Sequence, residues 1–532
     1  MFLIVPSLEK HTFGSVLPKM QIYFPLLFFI FTCSSIVHSL VISTSLGKLD
    51  GKQVEDFHLF KKIPFAKPPV GKLRFQKPEP AESWNGILNA QEYGPACMSN
   101  SSVTKSIQKV LDEDCLYINI FTSDNCLKTR NCPVVEYLHG GALHYDSAVM
   151  FNDTVILNHF VEKDIVFVIP AFRLGIFSHF VIEDQSIAPN NLALFDILLA
   201  MEFIKSEIYN FGGDPNRITL LGHSYGGTVA QILSFSTEVN TDLRIQRSLE
   251  DDGYPTYGNS VIRGPIFQEV PEQNFMDTPK NVSALTGCTK YEALSFDSYD
   301  DIGVSLGFQN PREVNVKYHQ DQKNDQLGFS NKIRDETQEM LVQNKVKVDK
   351  LLQNGVPLQT YLYELTYPKH ADHTDDLFYI MGVHPFEQDE NEKNIGEVYR
   401  TMFTNFIKTG EPGIGFERSD LRTSSFFDIY WNETSGDRPK MRTDFEESIM
   451  EYWTKEMVHF DQTISKMKMG SVLPVVRSFR EPISTSAVPF SYVIFLLLPF
   501  LAGFLVAKYC CFRSQKNLYI QLDGNDYPIK NI

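Results

Sequence analysis

Residues 211–227 read Phe-Gly-Gly-Asp-Pro-Asn-Arg-Ile-Thr-Leu-Leu-Gly-His-Ser-Tyr-Gly-Gly. A turn signal (Gly212, Gly213, Asp214, Pro215) leads into the apolar run Ile218 to Leu221. Then comes the pentapeptide Gly222-His223-Ser224-Tyr225-Gly226, followed by the helix-compatible stretch Thr228 to Phe235. Strand, sharp turn and helix around G-x-S-x-G form the context of a nucleophile elbow, in which small neighbours let a serine hydroxyl stand free. The alternative is a Gly-rich turn without chemistry; the ordered strand and helix signals favour the elbow. A serine hydroxyl is a weak nucleophile at neutral pH. It needs a base, a carboxylate to hold that base in one tautomer, and donors for the oxyanion that forms. The constellation calls for neither a metal nor a cofactor.

The surrounding elements fit such a turn. Leu40 to Leu49 reads as a hairpin-forming strand with a Gly turn, and the prolines between Phe60 and Pro80 predict an extended surface segment. A strand begins at Glu113–Phe121. Pro133 to Leu138 is a mostly apolar strand running into His139-Gly140-Gly141-Ala142, and Asp164 to Ala171 is another buried strand. Leu192 to Asn210 has helical periodicity, with Leu194, Ile197, Leu198, Met201, Ile204 and Ile208 on one stripe. Strands alternating with helices predict an α/β fold, a largely parallel sheet covered on both faces.

The chain has 532 residues, is 43% hydrophobic and carries a formal net charge of −16. No basic stripe is present to neutralise phosphates, which argues against nucleic acid as a partner. Residues 22–37 follow Lys19, are dense in Phe and Leu, and end near Ser34, Ser35 and Ser39, so residues 1–39 read as leader and signal peptide, starting at Met1 or Met20; an uncleaved anchor is the alternative. Residues 488–507 are twenty uncharged residues followed by Lys508, Arg513 and Lys516, the pattern of a single membrane span with a cytosolic flank. A GPI signal would end with its apolar tail, whereas polar residues continue here to Ile532. The expected layout is an ectodomain (40–460), a stalk (461–487), the span (488–507) and a tail (508–532), in which Cys510 and Cys511 are palmitoylation candidates. This layout predicts a type I membrane protein facing the extracellular or luminal side. Cys97–Cys115 and Cys126–Cys132 are spaced to close short loops as disulfides, leaving Cys288 odd; no C-x-x-C spacing supports zinc instead. Sequons at Asn100, Asn152, Asn281 and Asn432 suit the same compartment.

The runs PPVGKLRF, DEDCLYINIF, LHGG, FRLGIF, APNNLALFDILLA, FGGDPNRITLLGHSYGG and MFTNFIKTGEP occur in that order. Together they resemble the type-B carboxylesterase and cholinesterase family, over nearly the whole stretch from Leu40 to Met457. The resemblance implies an α/β-hydrolase fold with a Ser-Glu-His triad. It assigns Glu292, in Thr-Gly-Cys-Thr-Lys-Tyr-Glu, as the acid and His373, in His-Thr-Asp-Asp-Leu, as the base, with His370 a nearby competitor. It also implies an oxyanion hole from the backbone N–H groups of Gly141, Ala142 and Tyr225, and structural ion pairs Arg74–Glu113 and Arg173–Asp196.

Three departures from the family pattern stand out. His223 and Tyr225 flank the nucleophile where the family has Glu and Ala, which removes a carboxylate that would support the imidazolium and adds bulk beside the acyl group. Glu292 follows Ser224 sooner than is the family's habit, and the polar stretch Thr241 to Tyr257 breaks off where the family has a strand, helices and a disulfide loop. Residues 98–114 contain no aromatic residue, so the ring that holds choline in the cholinesterase branch is missing. The function expected is hydrolysis of small carboxylic esters through an acyl-enzyme, or acyl transfer to an alcohol. The competing expectation is a catalytically impaired adhesion or signalling ectodomain like the neuroligin branch.

Overall fold

The computed structural model describes residues 39–99, 106–178, 180, 184, 186–235, 247–251, 283–293, 302–324, 335–353, 359–471, 519–522 and 525–528. The leader, the span at 488–507 and the sequons at Asn100 and Asn281 lie outside the described residues. Among the described residues no helix is long and apolar enough to cross a membrane.

The first unit, Met1–Met467, is built on one mixed sheet. Its strands in chain order are β1 (Ser39–Ser43), β2 (Lys48–Val54), β3 (Phe57–Pro64), β4 (Tyr117–Ser123), β5 (Cys132–Leu138), β6 (Val166–Pro170), β7 (Gly213–His223), β8 (Arg247–Asp251), β9 (Ser283–Thr289), β10 (Thr360–Leu365), β11 (Phe426–Ile429) and β12 (Lys440–Arg442). The spatial order is β1-β2-β3-β4-β6-β5-β7-β8-β9-β10-β11-β12, with Ile87–Ala90 added beside β2. From β6 to β11 every neighbouring pair is parallel, while β1 to β4, the β4–β6 pair and β12 are antiparallel. The parallel centre agrees with the sequence. The antiparallel edge arises because short connections such as Thr44–Gly47 can only return a strand beside its predecessor.

Parallel strands covered on both faces should be apolar throughout, and β5, β6 and β10 are buried along their whole length. In β10 the alternation assigns each face: Tyr361, Tyr363 and Leu365 join the main core, whereas Leu362 joins a second core with Tyr318, Trp453 and Met457. The helices Pro311–Lys323, Asp335–Gln353 and Met457–Ser471 contribute to this second core. Buried Asp461 accepts from the Asn310 backbone N–H at 2.8 Å, and Asn310 Nδ2 reaches Ser465 Oγ at 2.7 Å, so packing continues into the segment expected to be stalk. The second unit, Lys468–Ile532, contains an antiparallel hairpin of Tyr519–Leu522 and Asn525–Pro528.

Two expectations are corrected. Phe60 to Pro64 is not a surface segment: it lies in β3, with Phe60 and Ile63 fully buried. Pro64 closes that strand, Phe65 and Ala66 beyond it are still buried, and Gly71–Leu73 form a 3₁₀ turn. The polar stretch after the elbow does supply a strand, because Arg247–Asp251 pairs in parallel with β7 on one side and β9 on the other. A central strand is held by backbone hydrogen bonds on both edges, which polar residues provide as well as apolar ones.

Candidate active site

Ser224 occupies the single position between β7 and the helix Tyr225–Phe235, with φ +54°. The left-handed conformation costs an L-residue about 1–2 kcal/mol. It is tolerated because the turn is clamped from both sides. A Cβ on Gly226 would lie 2.0 Å from the Leu138 carbonyl oxygen, and one on Gly140 would lie 2.9 Å from Ser224 Cβ. The elbow and the end of β5 therefore approach more closely than side chains at these positions would permit.

His373 Nε2 lies 2.9 Å from Ser224 Oγ, and its Nδ1 lies 2.9 Å from Glu292 Oε2. With Nδ1–H donating to the carboxylate, Nε2 keeps its lone pair for the serine proton. Glu292 is buried, and its other oxygen accepts from the Thr289 N–H at 2.7 Å. The turn after β9 is tied to its neighbours: Lys290 N–H donates to Leu365 and Tyr291 N–H donates to Ala371, both at 2.9 Å. The first bond joins the acid's turn to the end of β10, and the second joins it to the loop carrying His373. Serine, acid and base thus follow the C-terminal ends of β7, β9 and β10, the edge of a parallel sheet where ligands bind.

β5 delivers the Gly-rich turn to the same edge. Gly141 and Ala142 have φ +90° and +52°, and the Gly141 carbonyl accepts from the N–H groups of His144 and Tyr145 at 2.8 and 2.9 Å. Among the described residues, the N–H groups of Gly141 and Ala142 donate to no protein acceptor. His139 Nδ1 lies 2.9 Å from the Gly140 carbonyl, and its ring stacks on Phe172 at 4.4 Å, which fixes the peptide plane leading into Gly141. Burial lowers the His139 pKa to about 4, so the ring is neutral and Nδ1 donates.

His223 is buried with its ring centroid 5.3 Å from that of His373. Burial holds its pKa well below the usual histidine range, and His373, His384 and His139 push the same way. At neutral pH it therefore brings no charge to the catalytic imidazole. Tyr225 is buried within the main core. His370, the competing base, pairs instead with Glu392 at 2.5 Å and stacks on Phe386 at 3.8 Å. The implied ion pairs are present: Arg74 and Glu113 form a two-point contact at 2.5 Å, and Arg173 Nη2 meets Asp196 at 2.6 Å in the interior. Both disulfides form, with Cα separations of 5.0 Å for Cys97–Cys115 and 5.5 Å for Cys126–Cys132, while Cys288 is buried in β9.

Glu136 was not recognised from the sequence. It interrupts the apolar run of β5, opposite Leu220 and Val168, and both carboxylate oxygens are buried with no partner among the described residues. Burial raises its pKa to about 8, so it is predominantly protonated at neutral pH. The signal was legible as one ionisable residue within Pro133 to Leu138.

An α/β sheet carrying a serine elbow, a histidine and a buried glutamate in one hydrogen-bonded row defines a serine-triad α/β-hydrolase. The family model described as Carboxylesterase family matches residues 38–249 and 244–460. The chain belongs to the carboxylesterase family. Its relatives include mouse Carboxylesterase 1C, 34% identical over 241 residues, and mouse Liver carboxylesterase 1, 35% identical over 213 residues. These alignments take in 42% and 37% of both chains respectively, so the chain spans less than half the length of these curated relatives. Esterase cest-33 of Caenorhabditis elegans is 26% identical over 448 residues, covering 66% of this chain and 81% of its own. Among solved structures, a thermophilic PNB esterase superposes with TM-score 0.63 at 20% identity, over 78% of this chain and 99% of its own. The juvenile hormone esterase of Manduca sexta, solved with OTFP covalently attached, gives 0.66 at 17% identity, over 81% and 100%. These two likenesses establish the fold.

Proposed function

We propose that the protein is a serine hydrolase of small carboxylic esters. The observation that carries this reading is the unbroken row Ser224 Oγ–His373–Glu292, with both links at 2.9 Å. His373 Nε2 takes the hydroxyl proton as Oγ attacks the ester carbonyl carbon. The N–H groups of Gly141, Ala142 and Tyr225 receive the oxyanion, each donor contributing ~3 kcal/mol to transition-state stabilisation. Collapse breaks the carbon–alcohol bond, and His373 returns the proton to the leaving alkoxide. Water then repeats the sequence on the acyl-enzyme, and an alcohol in its place would give transfer. Glu292 stays ionised and supports the imidazolium throughout.

The decisive experiment is labelling of the folded protein with a fluorophosphonate, beside Ser224→Ala. Labelling that disappears in the variant supports the enzyme. A folded sample that never labels would overturn it in favour of the adhesion reading. We also propose that residues 488–507 anchor the chain as a type I single-pass protein, with the hydrolase unit outside the cytosol. The uncharged segment and its basic flank support this. Release of the full chain from membranes by alkaline carbonate would refute it.

A further inference from the structure

Away from the triad, a cleft of about 830 Å³ opens between β3, the segment Tyr93–Pro95, the segment Ile107–Val110 and the start of the helix Asp153–His159. Its volume falls in the range of small-ligand sites, roughly 300–1,000 Å³. The floor is rigid and satisfied. Buried Lys61 donates to Asp153 Oδ2 at 2.6 Å, Tyr93 O–H donates to Asp153 Oδ1 at 2.5 Å, and the Lys61 ammonium lies 3.9 Å from the Tyr93 ring centroid.

Three features of the walls point to an occupant. Gln108 is only 9% exposed and its Nε2 donates to the Gly94 carbonyl at 2.9 Å, which fixes the amide orientation; yet its Oε1 is buried with no partner among the described residues. Ile107 and Val110, on either side of Gln108, are 49% and 65% exposed. Asn152, the acceptor of the sequon Asn-Asp-Thr, lines the same cleft, and its Oδ1 accepts the Thr154 N–H at 3.0 Å. With Oδ1 committed to this cap, Nδ2 is the amide atom left to carry a substituent.

We propose that Asn152 carries an N-linked glycan whose first sugars are seated in this cleft. An N-acetylglucosamine has an acetamido methyl and an apolar ring face for Ile107 and Val110, and its hydroxyl and amide donors reach Gln108 Oε1 once that side chain turns out of its buried position toward the cleft. The exposed Lys62 and Lys109 at the edge are donors for sugar oxygens. In the transfer step Nδ2 loses one proton to the transferase's base and bonds to the anomeric carbon of a polyprenyl-pyrophosphate-linked oligosaccharide. The anomeric C–O bond breaks, and the pyrophosphate leaves with its electrons. The seat distinguishes this glycan from one at Asn432, which sits on a surface turn closed by the Asn432–Asp437 bridge.

The test uses the full chain expressed in a eukaryotic secretory cell, with site occupancy read by glycopeptide mass spectrometry. Asn152 and Asn432 are then compared for release by peptide N-glycosidase, before and after denaturation. The Asn152 glycan is expected to leave at least tenfold more slowly from the native protein and equally fast from the denatured one. Gln108→Ala together with Ile107→Ser should erase the native difference. Thr154→Ala removes the sequon while keeping the Asn152 cap, and should increase amide exchange over residues 107–110. An unoccupied Asn152 beside an occupied Asn432, equal native release at both sites, or unchanged exchange in Thr154→Ala overturns the proposal.

Discussion

Two histidine–carboxylate pairs stand three residues apart on the loop after β10. His373 meets Glu292 and His370 meets Glu392, at 2.9 and 2.5 Å. By contact distance alone the second pair is as good as the first. They differ in what lies beyond the imidazole and in how far water is excluded. The side chain of His373 is 7% exposed and its other ring nitrogen faces Ser224 Oγ, whereas that of His370 is 34% exposed and stacked on Phe386. Glu392 also accepts the Asp389 N–H at 2.7 Å as half of a capping box, so its carboxylate serves to start the helix Glu390–Thr409. One pair is wired to a nucleophile and the other to the scaffold. A histidine–carboxylate pair becomes a proton relay only when a third group waits at the other nitrogen.

Substitutions that separate the pairs have the largest expected effects. His373→Ala should lower kcat for p-nitrophenyl acetate by about 10⁴-fold or more, as removal of a triad member does. Comparable loss in His370→Ala, expected to stay under tenfold, would erase the distinction. Glu292→Gln keeps the shape but no longer enforces the tautomer, and should cost roughly 10³–10⁴ in kcat. Glu392→Gln should leave kcat within a few-fold of wild type, its cost showing in thermal unfolding.

A third carboxylate, Glu136, is the uncompensated contrast. Its folded pKa of about 8 lies above the unfolded value of about 4.3, so the folded state holds the extra proton. The group's stabilising contribution is full below about pH 4.3 and is lost as pH rises to about 8, at roughly 1.4 kcal/mol per pH unit. Glu136→Val should remove this slope, and in urea unfolding the variant should gain roughly 2–3 kcal/mol on wild type between pH 5 and pH 7. A slope unchanged by the substitution would mean that Glu136 has a partner after all. His223→Glu should have a smaller effect: a carboxylate beside His373 favours the imidazolium and moves the acid limb of kcat/KM upward by on the order of one pH unit.

Much of this arrangement is legible in the sequence. Ser224 announced itself through Gly222 and Gly226, because a nucleophile on a tight turn imposes small residues at fixed spacing. The parallel centre of the sheet followed from apolar runs such as Pro133 to Leu138. What failed to read was of two kinds. Arg247–Asp251 is a central strand without an apolar pattern, since its place is set by hydrogen bonding to β7 and β9. Phe60 to Pro64 looked like surface because of the prolines that follow it, although Phe60 and Ile63 carry the core.

The sequence by itself determined the nucleophile's turn, the family's order of motifs and the cysteine pairs, all of which depend on local spacing. It could nominate His373 and Glu292 only through resemblance, because an isolated histidine or glutamate imposes no pattern on its neighbours. Only the tertiary structure decided that His373, rather than His370, faces Ser224 across a separation of 149 residues. It alone showed that Glu136 is buried without a partner among the described residues and that His223 is held neutral. Those outcomes depend on which atoms are excluded from water together, and desolvation is a property of the packed molecule that residue spacing does not encode.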